Sequence, residues 1–201
     1  MRKELPHFNI GKAYGGNQDW MLDPWMHLGG CAALTACDSC IYLALHKDMK
    51  KLYPFDKSSL TKKDYIRFSQ VMKPYLRPRA NGVDKLSIYV EGFGSYLQDV
   101  GVTKLQMEEL SGEEPFLSAK EKVKEQIDAG LPVPYLLLYH QNAKLKEYVW
   151  HWFLLNGYEE LENTFIVKAV TYGAYEWLDF ASLWDTGHAA RGGMILYRYA
   201  D

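Results

Sequence analysis

Apolar and polar positions divide the chain into two stretches of different period. From Cys31 to about His46, apolar side chains such as Leu34, Cys37, Ile41 and Ala44 cover most of a helical circumference, which predicts a central, buried helix. Residues 47–130 are more polar and carry helix boundaries. Thr61 is placed to cap a helix that stops near Lys73-Pro74, and Asp84 to cap one that ends at Gly101. Residues 118–129 read as a third helix with Gly130 as its stop. Residues 103–110 fit a short strand. After Gly130 the period changes. Residues 134–139, 148–155, 164–171 and 193–199 read as strands punctuated by turn residues, close enough in sequence to pair antiparallel. Residues 177–184 read as a short helix. Helices first and strands later predict an α+β fold in one domain, 1–201: an irregular leader (1–30), a mainly helical part (31–130) and an antiparallel sheet part (131–201).

Composition narrows the function classes. With 201 residues, 48% of them apolar, the chain supports one substantial core. The net charge of −2 gives no electrostatic case for nucleic acid or an anionic membrane as partner. No run approaches the roughly 18 apolar residues of a membrane helix. The N-terminus has charge but no apolar stretch like that of a secretory signal, so the expected location is cytoplasmic. Three cysteines, all within ten residues, argue against a disulfide framework. The 6 Trp and 15 Tyr point to a core or cleft built from large flat side chains. Trp20, Trp25, Trp150 and Trp152 are the candidates to line a narrow one.

The candidate chemistry centres on Cys31. It follows Gly29-Gly30 and opens the central helix, where outward-pointing N–H groups and the helix dipole favour thiolate over thiol. A thiol nucleophile needs a base, and His151 lies in the apolar run Val149-Trp150-His151-Trp152-Phe153. The alternative for each is ordinary: a small buried thiol and a core histidine bonded to backbone. Cys37-Asp38-Ser39-Cys40 forms a C-x-x-C, but at about 100° per residue Cys40 points away from Cys31, so core packing is the reading preferred over metal or redox chemistry. Asp38 is unusual in so apolar a helix; it either meets a buried polar group or faces solvent. The charges of residues 120–126 read as a solvated helix face. No cofactor or metal is expected.

Several stretches together resemble the papain-like cysteine peptidases, nearest in style to the bacterial double-glycine (bacteriocin-leader) peptidases. They are Gly29-Gly30-Cys31, then Gly130-Leu131-Pro132-Val133 before an apolar strand, then His151-Trp152-Phe153-Leu154-Leu155-Asn156-Gly157-Tyr158. The closing Gly192-Gly193-Met194-Ile195-Leu196-Tyr197 adds to them. The resemblance implies a Cys-bearing helix packed on an antiparallel sheet, with the imidazole on a facing strand across a cleft. It implies a peptide or small amide substrate and acyl transfer through a Cys31 thioester, with His151 as base. The family's carboxylate or amide that orients the histidine has no counterpart on the next strand, where Thr171 stands instead. The family's oxyanion glutamine falls near Trp25, leaving Gln18, then Asn17, as the nearest amide donors; Asn156 and Glu159 are further polar neighbours of the histidine. These departures carry the alternative function, a papain-fold binding module without catalysis.

Overall fold

A computed structural model describes residues 1–200. In chain order the elements are β1 (Arg2–Glu4), β2 (Asn9–Ile10), β3 (Ala13–Tyr14), α1 (Pro24–Gly29), α2 (Cys31–His46), α3 (Lys62–Met72), α4 (Leu86–Asp99), β4 (Leu105–Ser111), α5 (Phe116–Asp128), β5 (Val133–Leu137), β6 (His151–Glu160), β7 (Phe165–Thr171), β8 (Ala174–Asp179), α6 (Phe180–Trp184) and β9 (Gly192–Tyr199). The fold is α+β with a seven-stranded antiparallel sheet. The strands run β4-β9-β5-β6-β7-β8, and β1 adds to β6 beyond the end of β5.

The helices form for the reasons their sequences suggest. In α3, Thr61 Oγ1 accepts the Asp64 N–H at 3.0 Å, and Tyr65, Phe68, Ser69 and Met72 make the buried stripe. In α5, Ala119, Val123, Gln126 and Ile127 share the inner face. Its expected solvated face is broken by Gln126. That side chain is buried, donating to the Tyr197 carbonyl at 2.9 Å and accepting its N–H at 2.8 Å. Helix α2 is buried from Cys31 to Ala44 and lies across the sheet against β6.

Three expectations need correcting. Residues 1–30 are not simply irregular: β1 pairs with β6, β2 and β3 form a small hairpin, and α1 supplies a turn and a half of helix. Residues 148–155 do not all belong to a strand, because residues 143–148 coil into a 3₁₀ turn and β6 starts at His151. The expected helix at 177–184 is half strand, β8, before α6 begins at Phe180.

The join between α1 and α2 is tight. Gly30 ends one helix and begins the next, and its N–H donates to the Met26 carbonyl at 3.0 Å. A Cβ on Gly30 would sit 2.4 Å from that same carbonyl oxygen. Glycine is therefore required here for close approach, and the join aims the first turn of α2 at the sheet.

Candidate active site

Cys31 occupies the first position of α2, and His151 the first position of β6. Both side chains are largely buried, 8% and 5% exposed, and both open on one cavity of about 540 Å³. A narrower recess of about 20 Å³ continues beneath them to Asp38. The peptide N–H groups of Trp152, next to His151 in the chain, of Ala32 and of Cys31 itself favour the thiolate of Cys31. The fold thus brings the two residues together although 120 positions separate them in the sequence.

The imidazole is held from two directions. Its Nε2 lies 2.7 Å from Thr171 Oγ1 at the end of β7. Its ring stacks on Tyr172 with centroids 4.9 Å apart and planes 6° from parallel. With Nε2–H donating to Thr171, Nδ1 carries the free lone pair and is the nitrogen available to the thiol. Tyr172 and Gly173 sit at φ 50° and 70° in the two-residue turn between β7 and β8. Both values are left-handed, and a tyrosine held there is strained backbone beside the candidate base. Trp150, immediately before His151, is also left-handed at φ 54°.

Gln18 lines the same cavities as Cys31. Its Nε2 donates to the His27 carbonyl at 2.7 Å, which fixes the amide's orientation. One Nε2 hydrogen remains, close to a helix terminus whose first N–H groups have no intrahelical acceptor. Asn17 is committed elsewhere, since its Oδ1 accepts the Asp19 N–H at 2.8 Å and caps the short 3₁₀ turn carrying Gln18. Asn156 is fully buried at the β6 bulge, its Nδ2 3.4 Å from the Tyr14 hydroxyl. Glu159 pairs with Arg2 at 3.6 Å.

Asp38 lies two helical turns below Cys31 and answers the question its sequence context raises. The Gly16 N–H donates to both carboxyl oxygens at 3.2 Å, and the Tyr65 hydroxyl donates to Oδ1 at 2.7 Å. Gly173 N–H donates to the Gly16 carbonyl, and Tyr14 N–H to the Gly173 carbonyl, both at 2.8 Å. One network therefore ties the loop of Gln18 to the turn of Thr171 and Tyr172. What marks Asp38 in the sequence is a carboxylate in so apolar a helix; its spacing of seven from Cys31, which repeats the helix face, is a further signal. Nothing in the sequence marks Tyr172 beyond its place next to Thr171.

Burial sets the charge states. It pushes the Cys31 thiol above its ordinary value, against the pull of the three N–H groups. It pushes His151 down to about 4. The expected net gain for the thiolate is thus overturned by desolvation, and the pair rests as neutral thiol and neutral imidazole. Of the four tryptophans expected around a cleft, Trp25 and Trp150 line it. Trp152 instead stacks on Tyr89 inside the core and donates to the Val83 carbonyl. Trp20 packs edge-on against Tyr65.

The same burial makes stability depend on pH. The unfolded chain protonates His7 and His151 below about pH 6.5, whereas the folded protein does so only near 3 and 4. Asp38 opposes them, because burial raises it to about 7 against 3.8 unfolded, so the folded state holds that proton first. His46, also lowered by burial, adds to the two histidines, so below about pH 6.5 the unfolded chain binds more protons than the folded one. Urea denaturation should therefore show stability falling as the pH drops from about 6.5 toward 4. His7→Phe should flatten the curve there; an unchanged slope would contradict the assignment.

Among the described residues, no helix is long and apolar enough to cross a membrane, and no group of three or more His, Cys, Asp or Glu is placed to hold a metal ion. No protein-family model matches the chain, and no curated protein matches it.

Proposed function

We propose that the chain is a papain-like thiol hydrolase or acyltransferase that acts on a peptide or small amide through a thioester on Cys31. The observation that carries this reading is a cysteine at a helix N-terminus sharing one open cleft with a histidine whose far nitrogen is already anchored. Because the pair rests uncharged, proton transfer accompanies attack. The Cys31 sulfur bonds to the substrate carbonyl carbon as the thiol proton moves to His151 Nδ1. The carbonyl oxygen gains charge near the first N–H groups of α2 and the remaining Gln18 N–H. The C–N bond then breaks, and His151 returns the proton to the leaving amine. Water, or a second amine in an acyltransferase, attacks the thioester with His151 again as base, and the thiol is restored.

Thr171 takes the orienting place of a carboxylate. Its hydroxyl accepts from Nε2–H but offers the imidazolium no negative charge. The stacked face of Tyr172 supplies part of what is missing, since a cation over an aromatic ring gains about 1 kcal/mol. The raised thiol and the uncharged orienter are what favour the second reading, a binding module of the same architecture.

Incubation with a mixed peptide pool, read by mass spectrometry, separates the two. The protein should generate cleaved or acyl-transferred products, and Cys31→Ala should generate none while melting within a few degrees of the parent. Identical product profiles from both would overturn the hydrolase reading.

A further inference from the structure

The cleft does not end at the thiol. Its wall of Trp25, Arg79 and Ala80 is shared with a second cavity of about 470 Å³, otherwise lined by Lys73, Pro74, Arg77 and Pro78. Trp25, 62% exposed, stands at the join, and Leu28, 81% exposed, lines the cleft on its inner side. The outer cavity is lined by three cations and no carboxylate.

Only one of those cations is neutralised. Lys73 pairs with Asp23, whose Oδ1 also caps α1 by accepting the Trp25 N–H at 3.0 Å. Arg77 and Arg79 have no ion-pair partner among the described residues. Between them Pro78 restricts the backbone and packs against Gly29, with 3.5 Å between its Cβ and a Cβ built there. The two guanidinium groups are thus carried on a segment seated against the residues that position Cys31. The cleft wall also carries Glu147, beside Val149 and Trp150.

We propose that the cleft selects peptides with an acidic side chain, which enters the recess formed by Arg77 and Arg79 while the backbone crosses Trp25 toward Cys31. This deepens the thiol-hydrolase reading and rests on it for the bond presented to the sulfur. Arginine suits the task because its planar donors match a carboxylate, whereas an amide of the same shape offers one acceptor and no charge.

Binding can be measured without catalysis. The Cys31→Ala protein is titrated with two pools of hexapeptides carrying a neutral fluorophore, identical except for Glu or Gln at the fixed positions. The Glu pool should bind at least tenfold more tightly, with affinity falling as salt is added. In the Arg77→Gln/Arg79→Gln double variant the two pools should bind alike. Equal binding of both pools to the parent, no binding of either at millimolar concentration, or a preference that survives in the double variant would overturn the proposal. Failure of the hydrolase reading looks different: the charge preference would persist while no peptide is cleaved.

Discussion

Replacing His151 with alanine should slow acyl transfer from an activated ester to Cys31 by about 10²–10⁴-fold near pH 7, the range a positioned general base contributes. The size of the effect follows from the resting charges. Burial holds the thiol above its ordinary value and the imidazole at about 4, so little preformed thiolate exists to react unaided. In the proposed reaction His151 takes the thiol proton during attack. The rate should fall as pH drops through about 4, when the imidazole acquires its own proton. Thr171→Val should act in the same direction but by less, because it removes the 2.7 Å contact on Nε2 and leaves Nδ1 in place. Stopped-flow acylation with an activated ester measures both variants. A His151→Ala rate within threefold of the parent would mean that Cys31 reacts without it.

Replacing Asp38 with alanine should cost about 3 kcal/mol of stability, measured by urea denaturation at pH 7. It leaves the Gly16 N–H buried without its acceptor, at about 1–3 kcal/mol, and the Tyr65 hydroxyl with only the longer contact to the Leu34 carbonyl at 3.4 Å. Asp38→Asn keeps an acceptor oxygen and should cost less. The same substitution should slow Cys31 chemistry without touching the thiol, because Gly16 links Asp38 to the Gln18 loop and to the Thr171–Tyr172 turn. Gly16→Ala tests the packing of this floor from the other side. A Cβ there would lie 1.9 Å from the Tyr65 ring, so the loop must move. Loss of stability below 1 kcal/mol in Asp38→Ala would show that the network is not what holds the loop.

Much of this arrangement was legible in the sequence because period reports burial directly. The apolar circumference of residues 31–46 and the change of period after Gly130 placed α2 and four strands of the sheet. β8 escaped because its pattern is weak: Ala174, Tyr175 and Glu176 are all exposed at the sheet edge, and only Leu178 is buried. β1 escaped because three exposed residues, Arg2, Lys3 and Glu4, carry no alternation. It is held by pairing with β6 and by Glu4 receiving Lys168 at 2.8 Å. Cys31 and His151 could be singled out because each breaks its local context, a thiol after two glycines and a histidine in an apolar strand. The thiol's charge state could not be read that way. A helix N-terminus argues for the thiolate, and only the packing around Cys31 shows that desolvation outweighs it. Tyr172 was hidden for a related reason: its role depends on a left-handed turn and a ring stacked across two strands.

The most direct test is competitive alkylation of the native protein with a limiting amount of a small neutral reagent, each cysteine quantified by mass spectrometry. Cys37 and Cys40 are fully buried within α2, whereas Cys31 faces the open cleft. Cys31 should be modified at least a hundredfold faster than either, and His151→Ala should slow its modification at least tenfold while leaving the two buried thiols as they were. Slow, equal modification of all three, unaffected by the loss of His151, would contradict a thiol and an imidazole acting together.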